Sequence, residues 1–149
     1  MWSLLKEMVK KFEGRRLKPY LCPAGIATIA DGATTYPDGR KVTLKDRSIT
    51  NQEADEISEY NCNIYIKSAG KLSPILWLSG EAKHTAIADF CFNLGSTRYK
   101  ASTLKKRVDA EDWNGAAIEL SKWVYGGGKK LPGLVSRRKA EALLLLQDN

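Results

Sequence analysis

The sequence predicts an α+β fold, and three observations support this class. Apolar residues recur at helical spacing near the N-terminus, β-branched and turn residues dominate the next segment, and helical patterns fill the rest of the chain. We therefore expect one domain over residues 1–149, with a small sheet-containing lobe at about 14–50. A long helix at about 51–69 joins it to a helical lobe at about 70–149.

The first element is an amphipathic helix over about residues 3–12. Its apolar positions at helical spacing are Leu4, Leu5, Met8, Val9 and Phe12. Ser3 is available as an N-cap, and Gly14 ends the helix. Glu13 is thereby left at the C-terminal edge, where a side chain can point into a cleft.

The sheet lobe follows. Pro37-Asp38-Gly39 lies between two short strand-like runs and indicates a hairpin, because proline presets φ and glycine accepts a positive φ. We expect a small antiparallel sheet of two or three strands. Thr50 and Glu53 then fit a capping box that starts the long helix, and Gly70 can close it.

Helices account for the remainder. Ser79 is the expected N-cap of a helix whose body is 82–94, and Gly95 ends it. Further helices are expected near 102–108, 111–124 and 132–146. We interpret Gly126-Gly127-Gly128 as a flexible joint between helices. It is not a phosphate-binding loop, because the Gly-Lys-Ser/Thr ending of that motif is missing.

Charge and cysteine content narrow the functional classes. The chain has 24 Lys and Arg against 17 Asp and Glu, and the net charge of +7 favours nucleic acid, an acidic membrane surface or an anionic cell wall. Three widely spaced cysteines do not form a disulfide framework. His84 is the single histidine, so a zinc site or a Ser-His-Asp triad lacks residues, and we expect no metal or cofactor.

A series of motifs gives the sharpest functional signal. Glu13, Cys22 and Thr28 are separated by eight and then five residues. The later motifs, in chain order, are Asp89-Phe90-Cys91-Phe92-Asn93-Leu94-Gly95, Ser102-Thr103-Leu104, Trp123-Val124-Tyr125-Gly126-Gly127 and Leu131-Pro132-Gly133-Leu134-Val135-Ser136-Arg137-Arg138. This series resembles the Glu-x8-Asp/Cys-x5-Thr signature and the following segments of the phage lysozyme and endolysin family, glycoside hydrolase family 24.

The resemblance implies a lysozyme-like fold and a set of catalytic residues. Glu13 would protonate the leaving oxygen of a glycosidic bond. Cys22 stands where many members carry aspartate; as a thiolate it could position water or attack the anomeric carbon, and otherwise it is a small buried hydrophobe. Thr28 would hydrogen-bond a water across the cleft, although threonine is also simply a good strand former.

The segment after Thr28 departs from the family, whose members usually read Thr-Ile-Gly-x-Gly. Here Ala30 replaces a glycine that an unusual φ would require, and Asp31 adds a charge. Either the loop differs, or Asp31 supplies the second carboxylate that Cys22 does not, or activity is damaged. Asn93 and Arg137 are the candidate substrate-binding residues, with a capping role and a surface position as their alternatives.

The resemblance further implies an endolysin that hydrolyses β-1,4 bonds between N-acetylmuramic acid and N-acetylglucosamine. Its partner would be bacterial peptidoglycan, with no nucleic acid, no stable membrane insertion and a monomeric chain. We expect storage in the host cytoplasm and release to the periplasm and cell wall at lysis. The alternatives are a lytic transglycosylase and a non-catalytic relative that binds the wall.

Overall fold

The computed structural model describes residues 2–148 and confirms the α+β class. Apart from a 3-10 helix at Pro74–Leu78, the elements of this part of the chain fall into helices and short strands. The helices are α1 (Ser3–Glu13), α2 (Asn51–Leu72), α3 (Glu81–Leu94), α4 (Ser96–Lys100), α5 (Thr103–Asp109), α6 (Trp113–Leu120) and α7 (Pro132–Leu145). The strands are β1 (Arg16–Leu21), β2 (Ala27–Ala30), β3 (Tyr125–Gly126) and β4 (Lys129–Lys130).

Contacts divide the chain into two compact units. The first is Lys6–Ile64, and the second comprises residues 65–148 together with 2–5. The first contains the β1–β2 sheet and the second contains α3 to α7.

Helix α1 ends where the sequence predicts. Glu13 is its last residue, and the N–H of Gly14 donates to the carbonyl of Lys10 at 3.1 Å. Gly14 then takes φ +75°, a conformation that glycine adopts without strain. The turn carries the chain directly into β1, which begins three residues after the candidate acid.

The sheet of the first unit has two strands. β1 and β2 are antiparallel, with Tyr20 opposite Thr28 and an irregularity between Arg16 and Tyr20. The predicted turn at 37–39 also forms, but its flanks pair only as the isolated bridge between Thr35 and Lys41.

The carboxylate of Asp46 takes the place of a strand ladder in that segment. It accepts a hydrogen bond from the Tyr36 hydroxyl at 2.7 Å and from the Thr43 N–H at 2.9 Å. The sheet of the first unit has the two strands β1 and β2. Beneath these loops lies the core of the unit. Its buried residues are Ile29, Ala30, Ala33, Tyr36, Val42, Ile49, Ala54 and Ile57.

The capping box is confirmed at the start of α2. The Glu53 N–H donates to the Thr50 hydroxyl at 3.1 Å, and the Thr50 N–H donates to the Glu53 carboxylate at 3.0 Å. The predicted end at Gly70 is wrong, because α2 continues to Leu72. Gly70 serves close packing instead, since a Cβ there would clash with the indole of Trp77.

Two further predictions in the second unit need correction. Ser79 does not cap α3; its hydroxyl donates to the Ile75 carbonyl at 2.7 Å, and Gly80 is the residue before the helix. The glycine run at 126–128 is not a flexible joint. It forms the β3–β4 hairpin, in which Gly127 and Gly128 have φ of +57° and +79°, as a two-residue turn between antiparallel strands requires.

The core of the second unit lies between α3 and the helices around it. The ring of Phe90 packs edge-on against Trp123 at 5.3 Å and against Tyr99 at 6.2 Å between centroids. Other fully buried residues are Leu5, Ile87, Leu104, Leu120 and Leu145. None of the helices within residues 2–148 is both long enough and apolar enough to cross a membrane.

Candidate active site

A tight loop follows β2 and shapes the candidate site. Ile29 and Ala33 exchange two backbone hydrogen bonds of 2.8 and 2.9 Å, which closes the loop at its base. At its tip Ala30 has φ +57° and Gly32 has φ +81°. At Ala30 the loop therefore has a backbone conformation that glycine adopts easily and alanine does not. The alanine adopts the left-handed region at a cost of about 1–2 kcal/mol.

Glu13 lies directly against this loop. A Cβ built on Gly32 would stand 2.8 Å from both Cγ and Oε1 of Glu13 and 3.0 Å from its Cδ. Real Cβ atoms do not approach other atoms so closely. The carboxyl group of Glu13 is therefore packed on a backbone surface that only glycine provides, and its side chain is half-buried.

Cys22 and Thr28 meet across the turn that joins β1 to β2. The Cys22 N–H donates to the Ile26 carbonyl at 3.0 Å, and the Thr28 hydroxyl reaches the same carbonyl at 2.8 Å. A hydrogen bond from the Ile26 N–H to sulfur lowers the pKa of the Cys22 thiol, and burial opposes this while bonds from the Ala24 N–H and the Thr28 hydroxyl add to it. Cys22 is partly exposed, whereas Cys62 and Cys91 are buried.

Tyr20 marks the point around which the predicted groups gather. Burial is the largest cause of the raised pKa of its phenol, and the nearby charges of Glu13, Cys22 and Asp31 raise this pKa further. The guanidinium of Arg16 lies over its ring at 4.6 Å. The motif residues that are separated in sequence thus come within electrostatic range of one phenol.

Asp31 is buried and saturated with partners. The Nε and one terminal nitrogen of Arg15 donate to its two oxygens at 3.0 and 2.9 Å, and the Ser58 hydroxyl donates at 2.6 Å. Burial acts to raise the pKa of Asp31, but the bonds from Arg15 and Ser58 hold it below its ordinary value. Arg15 also pairs with Asp55 at 2.7 Å.

Asn93 and Arg137 belong to the second unit, where they form part of a buried charge cluster. Arg137 is only 4% exposed and donates two bonds of 2.9 Å to Asp89. Arg138 donates at 2.9 Å to the Oδ1 of Asn93 and also holds the carboxylate of Glu141 at 2.7 Å. Burial raises the pKa of Glu141, and the nearby Asp89 carboxylate raises it further.

Sequence reasoning missed three contributors to the first unit's site: Arg15, Gly32 and Ser58. Arg15 and Gly32 flank the motif residues, so their positions were a usable signal. Ser58 had none, because a single serine on a long helix carries no pattern. Within residues 2–148, His, Cys, Asp and Glu side chains do not gather in threes as metal ligands would.

Comparison with known proteins identifies the class. The phage lysozyme family model matches residues 10–141. An endolysin from Acyrthosiphon pisum secondary endosymbiont phage 1 is 32% identical over 146 residues, covering 92% of this chain and 91% of that protein. A SAR-endolysin of Bacteriophage PS119 is 29% identical over 130 residues, covering 87% of this chain and 73% of the relative.

Solved structures agree. The endolysin from Escherichia coli O157:H7 phage FAHEc1 superposes with a TM-score of 0.83 at 28% identity, covering 95% of this chain and 90% of that one. The fold is thus lysozyme-like, and the resemblance noted from the motifs is confirmed. The chain belongs to the phage lysozyme family. It is a cell-wall-lytic endolysin of the peptidoglycan hydrolase class.

Proposed function

We propose that this endolysin is a muramidase that hydrolyses β-1,4 bonds between N-acetylmuramic acid and N-acetylglucosamine. Glu13 is the general acid that protonates the leaving glycosidic oxygen. The observation that carries this role is the position of its carboxyl, which lies at the end of α1 and packs against the backbone of Gly32. A carboxyl at a defined position beside the cleaved bond is well placed for proton transfer.

Cys22 and Thr28 form the other half of the proposed mechanism. The thiol shares the turn at 22–26 with Thr28, and its lowered pKa favours the thiolate. The Thr28 hydroxyl donates its proton to the Ile26 carbonyl, so its oxygen lone pairs remain as acceptors. We assign to this pair the orientation of the attacking water. A lytic transglycosylase needs an acid but no such group, which is why we favour hydrolysis.

The positive charge suits the substrate. Peptidoglycan and its attached polymers are anionic, and a net charge of +7 raises the rate of encounter. We propose that the protein acts as a monomer without nucleic acid, is held in the host cytoplasm and reaches the wall at lysis. Light scattering of the purified chain and fractionation of infected cells test these points.

The deciding experiment is a turbidity assay on permeabilised Gram-negative cells. We expect the unaltered chain to clear the suspension and Glu13→Gln to lose nearly all activity, because the amide cannot donate a proton. Glu7→Gln is the matched control, since Glu7 is an exposed acid on the same helix. Equal clearing by Glu13→Gln would remove Glu13 from the mechanism.

Product analysis separates hydrolysis from the transglycosylase reaction. Hydrolysis adds one water to each cleaved strand, whereas the transglycosylase closes an anhydro ring with no water added. Mass spectra of the soluble fragments should show reducing ends that carry the added water. Anhydro ends as the sole product would support the transglycosylase, and wall binding without any fragments would indicate a non-catalytic relative.

A further inference from the structure

The loop at 29–33 lies against the Glu13 carboxyl, and two backbone hydrogen bonds between Ile29 and Ala33 close its base. Its tip consists of Ala30, Asp31 and Gly32, and Gly32 has no side chain to anchor it. Ala30 and Gly32 both have positive φ, so an alanine here adds backbone strain. Within the tip, Asp31 is the residue whose side chain makes hydrogen bonds to distant parts of the unit.

Asp31 is bound on two sides. Arg15 grips it with two hydrogen bonds and lies two residues beyond Glu13 in the chain. Ser58 binds it from helix α2 at 2.6 Å. Arg15 itself is held to the same helix by Asp55 at 2.7 Å. The turn that carries Glu13 and the loop that touches Glu13 are therefore fastened to each other and to α2 through one carboxylate.

Asp31 cannot act directly while it makes these bonds. Its side chain is 2% exposed, and both of its oxygens are occupied by donors from Arg15 or Ser58. A carboxylate that contacts water or a sugar on one side needs an open oxygen on that side. The geometry favours a structural connection to Glu13 over a second catalytic carboxylate.

We propose that Asp31 is a positioning residue which, through Arg15 and Ser58, holds the loop tip against the Glu13 carboxyl. This inference rests on the proposed role of Glu13 as the acid. In this chain Asp31 stabilises the left-handed conformation of Ala30. It also keeps Gly32 in the position against which the Glu13 carboxyl packs. Asp31 thus acts on the reaction only through the placement of Glu13.

The test measures wall clearing by Asp31→Asn, Arg15→Lys and the double variant, each at several wall concentrations. We expect kcat to fall about tenfold to a hundredfold with the apparent KM nearly unchanged, because misplacing an acid affects the transition state and not wall binding. The double variant should be no worse than the more impaired single variant, since both break one connection. Circular dichroism at the assay temperature confirms that each variant is folded.

Glu53→Gln is the matched control. Glu53 is paired with Arg47 in the same two-bond arrangement, at 3.1 and 2.6 Å, on the same unit but on an exposed surface. Its kcat should stay within twofold of the unaltered chain. Asp31→Glu adds a second check, because a longer carboxylate that regains Arg15 should recover part of the lost kcat.

Three results would overturn the proposal. Full kcat in Asp31→Asn would show that the connection is dispensable. A loss as complete as that of Glu13→Gln, with Arg15→Lys unaffected, would show that Asp31 acts directly. A rise in apparent KM that accounts for the whole loss would indicate a role in wall binding. If the unaltered chain itself fails to clear walls, the proposed function falls first and this inference with it.

Discussion

The backbone of Gly32 lies against the carboxyl group of Glu13, so closely that no Cβ would fit between them. The proposed catalytic acid therefore packs directly on a glycine 19 positions away in the chain. Ala30, two positions before Gly32, has a positive φ in the same loop. The contact between Glu13 and Gly32 also supplies the most direct test of the site.

Gly32→Ala should abolish most wall clearing, because the new methyl group displaces the Glu13 carboxyl. Gly39→Ala is a matched control: Gly39 also has positive φ, at +89°, but a Cβ there meets no atom within 4 Å. Both variants should lose about 1–2 kcal/mol of stability from backbone strain. Only Gly32→Ala should lose activity in the turbidity assay, and equal activity in the two variants would contradict the contact.

Cys22→Asp should extend activity to lower pH. If the thiolate of Cys22 orients water, activity falls as the pH drops through the pKa of the thiol, which a hydrogen bond from the Ile26 N–H lowers. An aspartate carboxyl has an ordinary pKa of about 4, below that of an ordinary thiol. The acid limb of the pH–rate profile should therefore move to lower pH.

The control for this prediction is Cys62→Ser, which alters a buried thiol in the same unit. Its acid limb should coincide with that of the unaltered chain. An acid limb that stays in place in Cys22→Asp would show that the thiol's ionisation does not govern the reaction.

Ala30→Gly and Ala33→Gly together measure the strain in the loop. Both alanines are buried, but only Ala30 has positive φ. Each substitution removes a methyl group and adds freedom to the unfolded chain, whereas only Ala30→Gly also relieves the left-handed strain. Ala30→Gly should therefore be more stable than Ala33→Gly by about 1–2 kcal/mol in urea unfolding. Equal losses would show that Ala30 is unstrained.

His84 should make the second unit sensitive to acid. Its ring is fully buried between Trp2 and Trp77, at 4.8 and 4.6 Å between centroids, and Nε2 lies 2.8 Å from the carbonyl of Ile66. Burial lowers its pKa below the ordinary 6.5, although that carbonyl opposes the shift. Between the folded and unfolded pKa values of His84, the unfolded chain therefore binds a proton at this ring that the folded chain does not bind.

The contribution of His84 to the free energy of unfolding is therefore fully present above about pH 6.5. It is lost as the pH falls toward the folded pKa of His84, by up to about 1.4 kcal/mol per pH unit. Urea unfolding at pH 7.5 and pH 5 measures the loss. His84→Phe is the comparison, because it removes this contribution and leaves that of Glu141, whose raised pKa works in the opposite direction. An identical pH dependence in both proteins would contradict the assignment.

Arg137→Met should destabilise the second unit by about 3–5 kcal/mol, because it leaves the Asp89 carboxylate buried without its main partner. Arg107→Met is the control: Arg107 pairs with Asp112 on the surface, and its loss should cost less than about 1 kcal/mol. Thermal unfolding compares the two. A small loss in Arg137→Met accompanied by weaker wall binding would favour the substrate-binding role predicted from the sequence.

Local patterns predicted much of the fold, and distant contacts account for the differences. The capping box at Thr50 and the end of α1 at Glu13 depend on neighbours a few residues apart, so the sequence displays them. Gly70 looked like a helix end because glycine usually stops a helix. Its purpose in this chain is to admit the indole of Trp77, which periodicity does not reveal.

The candidate site shows the same division. The spacing of Glu13, Cys22 and Thr28 predicted the motif, but two interpretations of Asp31 stayed open on the sequence alone. Its partners lie 16 and 27 positions away, and no helical or strand period links such positions. Whether two charged side chains pair depends on their distance in the folded unit, and a pattern along the sequence does not give that distance.

Ala30 also bears on how relatives of this protein are found. Here a left-handed residue stands without glycine at the position where the Thr-Ile-Gly-x-Gly pattern has one. A search string that demands glycine there would pass over this chain. A search string that tolerates alanine followed by aspartate, with an arginine two positions after the acid, would include it.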